Sequence, residues 1–254
     1  MPTRQIIAMG GASFVSSIKN PALERYILAQ SPHRNPAVCF IPTATGDSPK
    51  YIRNFYRAFG RLECRPTHLS FFQRTPDLRA LILSQDVIYV GGGNTKSMLA
   101  VWRDWGLPDI LKEAWHAGIV LGGVSAGAIC WFETGVTDSW AGHLAPLDCL
   151  GFLRGTCCPH YDGETDRRPS VHRFVQDGTM EDVLALDDGV AAHYVGARLA
   201  RLVSSRPRAH GYRIVRRRDR VVETALPTSL ISKRGKIGKK RKKRSNVARH
   251  AETK

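Results

Sequence analysis

The run Ile119-Val120-Leu121-Gly122-Gly123-Val124-Ser125-Ala126-Gly127 opens as a strand and closes as a turn. Residues 119–124 are apolar or glycine, as in a strand buried on both faces. From Gly123 onward the run matches G-x-S-x-G, the pattern that presents a serine on a sharp strand-to-helix turn. Side chains two positions before and two after the serine would collide across such a turn, which accounts for both glycines. The N–H of Ala126 would then point to where a carbonyl oxygen sits during attack. The bland alternative is a buried serine in a turn of small residues.

Upstream, short apolar runs alternate with helical spacing. Residues 6–9 predict a strand ending at Gly10-Gly11, and residues 21–30 a helix with proline near its start. Residues 37–41 predict a second strand and 49–59 a second helix. A third strand is expected over 67–72, a helix over 76–84, and a fourth strand over 86–90. That strand stops at Gly91-Gly92-Gly93-Asn94, and helices over 95–105 and 108–117 lead back to Ile119. Such alternation predicts an α/β fold with a doubly wound, mostly parallel sheet. Beyond residue 180, short strands at 183–186, 190–194, 199–204, 212–215 and 221–223 are expected to extend the same sheet in antiparallel fashion. One domain over residues 1–232 follows, and no internal repeat is visible.

The chain has 254 residues and a net charge of +16. Residues 233–254 hold eleven Lys/Arg and one Glu and so carry +10, leaving +6 for residues 1–232. This tail has no apolar periodicity and repels itself, so disorder is expected there. It could neutralise phosphates without sequence selectivity, but it lacks the interleaved aromatics that stack bases. Nucleic acid is therefore expected as a partner only through the tail. No apolar run reaches the roughly 18–20 residues that span a bilayer, and residues 1–5 lead into a strand without a signal-like segment. The expected setting is cytoplasmic, with no membrane partner. Six scattered cysteines lack C-x-x-C spacing, so free thiols are expected rather than a disulfide framework or a metal site. Adjacent Cys157-Cys158 reads as one buried and one semi-buried thiol.

Strands of doubly wound sheets carry their functional residues at their carboxyl ends. Gly91-Gly92-Gly93-Asn94 sits at one such end, where unobstructed N–H groups suit an anion or a developing oxyanion. It has neither a G-K-[ST] ending nor G-x-G-x-x-G, so it is no phosphate motif. A serine nucleophile needs a base, and the base an orienting acid. Among nine histidines, His160 in Cys157-Cys158-Pro159-His160-Tyr161-Asp162 is favoured because it follows an apolar segment and begins a polar loop. His143 and His193 stay open. For the acid, Asp187-Asp188 are the best downstream candidates, with Glu133 and Asp138 as alternatives.

Together, GGGNT at 91–95, GVSAGAICWF at 123–132, PHYD at 159–162 and LDDGVA at 186–191 resemble the peptidase E family of serine peptidases. That family groups aspartyl dipeptidases with cyanophycinase-like enzymes, and the resemblance covers roughly residues 5–215. It implies a fold like class I glutamine amidotransferases, with serine replacing the usual cysteine at the elbow. A glutaminase-like or non-catalytic member of that fold is the rival, and Ser125 disfavours it. The resemblance also implies a triad in the order Ser-His-acid: Ser125 as nucleophile, His160 as base, and Asp188 where the family commonly has glutamate. Gly92, Gly93 and Ala126 would supply oxyanion N–H groups. The implied substrate is a short peptide, with aspartyl dipeptides the sharper form. Recognition of a substrate carboxylate suits the fork of a guanidinium, so Arg167 and Arg168, with Asn94, are expected to bind substrate. No cofactor or metal is implied, and a monomer or homodimer is expected.

Overall fold

The computed structural model describes residues 2–12 and 20–237. The chain runs β1 (Gln5–Met9), α1 (Ala22–Leu28), β2 (Ala37–Ile41), α2 (Pro49–Phe59), β3 (Arg65–His68), α3 (Leu78–Leu83), β4 (Val87–Val90), α4 (Thr95–Asp104), α5 (Leu107–His116), β5 (Val120–Val124) and α6 (Ala126–Ile129). There follow β6 (Phe132–Trp140), β7 (His143–Asp148), β8 (Leu153–Cys158), α7 (Arg167–Gln176), β9 (Asp182–Leu186), β10 (Val190–Val195), β11 (Arg198–Ser204), β12 (Gly211–Arg217), β13 (Arg220–Leu226) and β14 (Thr228–Leu230).

Among the described residues the strands form two sheets. The larger has the order β14-β11-β10-β1-β5-β4-β2-β3, and its five strands from β1 to β3 are mutually parallel. Strict alternation sorts their side chains. Ile6, Ala8, Cys39, Ile41, Ile88, Val90 and Leu121 share one core with α3–α6. Ile7, Met9, Val38, Phe40, Val87, Tyr89, Val120 and Val124 share the other with α1 and α2. Helices thus cover both faces, and the fold is the doubly wound, mostly parallel α/β arrangement read from the sequence.

The second sheet, β13-β12-β9-β8-β6-β7, corrects that reading in its later part. Of the five strands expected there, residues 190–195 and 198–204 extend the first sheet, where β10 runs antiparallel to β1, and β14 adds to its edge parallel to β11. Strands β9, β12 and β13 instead join β6–β8, which the sequence pattern did not reveal. Phe132–Trp140 (FETGVTDSW) carries two register shifts and scattered polar residues, so alternation is blurred. Pro146 in β7 is tolerated because that strand lies at the sheet edge. The inner face of this sheet (Phe132, Leu153, Cys157, Leu184, Leu186) completes the first core. Its outer face (Val136, Cys158, Val183, Ala185, Ile214) packs under α7. Cys157 and Cys158 therefore point to opposite sides and both are fully buried, rather than one of them semi-buried. All six cysteines are free thiols.

The third strand lies at Arg65–His68, two residues earlier than the apolar run at 67–72 suggests. Pairing stops once Leu69 N–H reaches the Phe40 carbonyl. Beyond it the Asp47 carboxylate accepts the N–H groups of Phe71 and Phe72, holding them in a loop with Phe71 buried. Residues 233–237, where the basic tail was expected to begin, form a turn closed by an Ile231–Ile237 bridge. Residues 238–254 lie outside the described residues. No helix among the described residues is long and apolar enough to cross a membrane.

Trp102 of α4 joins this packing to the turn after β2. It is fully buried, and its Nε1–H donates to Thr43 Oγ1 at 3.1 Å. Trp102→Ala should cost about 3–5 kcal/mol, the range for emptying a large aromatic site. Urea unfolding measures it, and a loss under about 1 kcal/mol would show that the site collapses without penalty.

Candidate active site

Ser125 stands at the carboxyl end of β5 with φ 58° and ψ −114°, a conformation that L-residues seldom adopt. The glycines on either side are required by close approach. A Cβ on Gly123 would lie 2.2 Å from the Val90 carbonyl oxygen and 2.8 Å from that of Gly127, and one on Gly127 would lie 2.2 Å from Val90 O. The turn holds the serine half-exposed amid buried neighbours. Ala126, whose N–H opens α6, is buried directly behind it.

His160 follows β8, and Asp188 follows β9, the parallel neighbour of β8. His160 Nδ1 and Asp188 Oδ1 are 2.8 Å apart. Against a carboxylate Nδ1 is the donor, and in a neutral imidazole Nε2 is then the acceptor. Gly11 makes room for the pair, because a Cβ there would lie 1.8 Å from Asp188 Oδ1 and 2.5 Å from His160 Nδ1. Consecutive carbonyls at the end of β1 register all three segments. Met9 O accepts Ser125 N–H (3.1 Å), Gly10 O accepts His160 N–H (2.9 Å), and Gly11 O accepts Gly189 N–H (3.1 Å).

The other acid candidates are engaged elsewhere. Asp187 is buried, accepts His210 N–H at 2.9 Å, and is pushed above the usual carboxylate range by that burial. Glu133 accepts Gly155 N–H at 2.7 Å, tying β6 to β8. Asp138 lies 3.6 Å from Arg167. Of the alternative bases, His193 is buried in β10 against the Tyr26 hydroxyl (2.7 Å), and burial lowers it to about 4. His143 is exposed on β7, stacked on Trp140.

Ser125 and His160 line one cavity of about 420 Å³ with Ala12, Thr45, Ser48, Lys50, Tyr51, Asn54, Gly92, Gly93 and Val124. Gly92 lies beside Ser125, since a Cβ there would be 3.6 Å from Ser125 Oγ. Its N–H donates to the Tyr51 hydroxyl at 3.1 Å. The expected substrate-binding residues are not among the cavity's lining. Arg167 opens α7 rather than sitting in a solvated loop. It is 2% exposed, with Nε donating to Glu164 (2.7 Å) and Nη1 to the Val136 carbonyl (2.9 Å). Arg168 lies over the rings of Tyr161 and Tyr212 and pairs with Glu223 at 3.0 Å. Asn94 caps α4, its Oδ1 accepting Ser97 N–H (2.9 Å) while its Nδ2 donates to the Ser139 carbonyl (3.1 Å).

The residues that the sequence reading missed are Thr45, Ser48, Lys50, Tyr51 and Asn54, all after β2. The carboxyl-end rule that singled out residues 91–94 and 123–127 applies equally to β2, but no recognisable motif marks that turn. Among the described residues, no group of three or more His, Cys, Asp or Glu is placed to hold a metal ion.

Comparison with known proteins shows the family. The chain is 50% identical over 229 residues to the uncharacterized peptidase YgaJ of Bacillus subtilis (strain 168), covering 90% of this chain and 99% of that one. The fold is similar to the crystal structure of a peptidase from an acI-B1 actinobacterium, with a TM-score of 0.63, 17% identity, and coverage of 89% and 95% of the two chains. It is similar also to a Listeria monocytogenes EGD-e protein named for peptidase E, with a TM-score of 0.55, 17% identity, and coverage of 89% and 100%. The sequence model of peptidase family S51 matches residues 6–202, from β1 through the elbow and the His160–Asp188 pair. The chain belongs to peptidase family S51 and is a serine-type peptidase.

Proposed function

We propose that this peptidase hydrolyses short peptides, dipeptides with N-terminal aspartate among them, through Ser125, His160 and Asp188. The observation that carries the reading is the 2.8 Å contact of His160 Nδ1 with Asp188 beside a strained serine on the same cavity. Asp188 holds the imidazole in the tautomer whose Nε2 takes the Ser125 proton. Ser125 Oγ attacks the peptide carbonyl, and His160 then delivers the proton to the leaving amine. Water repeats the sequence on the acyl-enzyme. The N–H groups of Ala126, Gly92 and Gly93 receive the oxyanion, each contributing about 3 kcal/mol to lowering the barrier. A developing oxyanion is a stronger acceptor than the Tyr51 hydroxyl now on Gly92, so it would displace that hydroxyl.

The size of the cavity supports a short substrate, since sites for small molecules run from about 300 to 1,000 Å³. With Arg167 and Arg168 engaged elsewhere, Lys50 is the lining cation suited to a substrate carboxylate.

Ser125→Ala should lower kcat/KM by roughly 10⁴-fold or more while the protein keeps its circular dichroism and melting temperature. Near-normal hydrolysis by the purified variant would remove Ser125 from the mechanism.

The aspartyl preference is tested by comparing Asp-Leu with Ala-Leu in wild type and in Lys50→Met. The variant should raise KM for Asp-Leu about fivefold, or about 1 kcal/mol, and leave Ala-Leu unchanged. Equal effects on both would move Lys50 to the terminal carboxylate, and no preference in wild type would remove the aspartyl label.

A further inference from the structure

The backbone of Asp188 is held on both sides by side chains that also hold each other. Its N–H donates to Asp162 Oδ1 at 2.8 Å, and its carbonyl accepts from Arg206 Nη1 at 2.9 Å. Arg206 Nη2 meets Asp162 Oδ2 at 3.1 Å, so one carboxylate and one guanidinium close a ring around the Asp188 peptide units. Both forks are used in full, one oxygen or nitrogen for the pairing and the other for the backbone. The chain leaves space for this. Gly189 has φ 76°, and a Cβ on it would lie 2.9 Å from Arg206 Cδ. Arg206 is fixed in turn by Ser204, whose hydroxyl donates to the Arg206 carbonyl (2.8 Å) and accepts its N–H (3.1 Å).

Fold stability alone does not account for this construction. The Arg206–Asp162 pair is 46% and 30% exposed, and pairs so exposed contribute little to stability. What the ring does fix is the place from which a short side chain must reach His160. Aspartate has a single methylene between backbone and carboxylate, so a displaced main chain displaces Oδ1 almost equally. A misplacement of about 1 Å in a catalytic group can cost about 100-fold in rate.

We infer that Asp162 and Arg206 are positioning residues that set Asp188 against His160. The inference rests on the triad reading above. It requires that Arg206 matter only while Asp188 can orient the imidazole, which a double-mutant cycle measures.

The readout is the second-order rate at which a fluorophosphonate labels Ser125, followed by intact mass, so no peptide substrate needs to be known. Kinetics on Asp-Leu add the division between kcat and KM. Arg206→Met should slow labelling about 10- to 100-fold and lower kcat similarly, with KM within about threefold. Asp162→Asn, which keeps an acceptor for the Asp188 N–H, should lose less than Asp162→Ala. Asp188→Asn should lose more than any of these, and adding Arg206→Met to it should change nothing further. Melting temperatures identify any misfolded variant. If Arg206→Met is one, Arg206→Lys and Asp162→Asn carry the same cycle.

An Arg206→Met protein that labels within twofold of wild type overturns the inference, and so do effects that multiply in the Asp188→Asn background. A wild-type protein that is not labelled at all removes the nucleophile and the positioning role together. Normal labelling in wild type and in Asp188→Asn alike removes Asp188 as the acid and the positioning role with it, while leaving Ser125 in place.

Discussion

Three backbone hydrogen bonds at the end of β1 hold the candidate site together. The carbonyls of Met9, Gly10 and Gly11 take the N–H groups of Ser125, His160 and Gly189 in that order. Each partner ends a different strand or connection, one in the larger sheet and one in the smaller, with the third on the crossing between them. Consecutive carbonyls of an extended chain point in alternating directions. The two residues beyond β1 have no room for side chains: a Cβ on Gly10 would lie 2.5 Å from the Asp187 carbonyl oxygen, and one on Gly11 1.8 Å from Asp188 Oδ1. The Gly10-Gly11 pair looks like punctuation in the sequence. In the structure it is where the two sheets are held in register.

That register lets a side chain as short as aspartate reach His160. His160 and Asp188 follow β8 and β9, which are parallel neighbours with Cys158 paired to Ala185 near their ends. Adjacent parallel strands bring their outgoing chains to within side-chain reach, so the contact needs one methylene rather than two. Ser125 arrives from the other sheet, and the two sheets share one apolar core through Leu184 and Leu186. The placement of Ser125 relative to His160 is thus a property of core packing as much as of loops. Fixed, dry packing can supply such placement, because interiors are close-packed and do not deform continuously.

Much of this was legible in the residues. Strands β1, β2, β4 and β5 are mainly apolar runs, as strands covered on both faces must be, and the ends of β1, β4 and β5 carry glycine. The elbow and the 91–94 turn could be read because steric necessity leaves glycine at set positions. The second sheet was not legible, since β6 is bulged, β7 contains proline, and half of their side chains face a thin layer or solvent. Alternation then carries no clear signal. Arg167 and Arg168 misled for a related reason. A sequence shows that a guanidinium is present but not whether its donors are already taken, and here Glu164, the Val136 carbonyl and Glu223 take them. Conversely, Lys50 and Tyr51 carry no motif, and only the turn of the chain after β2 brings them to Ser125.

The two adjacent carboxylates show how far position outweighs residue type. Asp187 and Asp188 are chemically identical neighbours, yet the turn between β9 and β10 sets them in different surroundings. Asp187 faces inward, where burial favours its neutral form and it holds His210 N–H at the start of β12. Asp188 is 27% exposed and meets His160 Nδ1 at 2.8 Å. An ionised carboxylate is costly in the first of these places. A similar logic applies to nucleophiles. Burial pushes the thiols of Cys39, Cys149 and Cys158 up to about 12, so they remain protonated near neutral pH although sulfur is the better attacking atom. The Ser125 hydroxyl, which the elbow holds half-buried on the cavity that His160 also lines, is not shut away in this manner. Which side chains the strand ends leave at that cavity counts for more than their type.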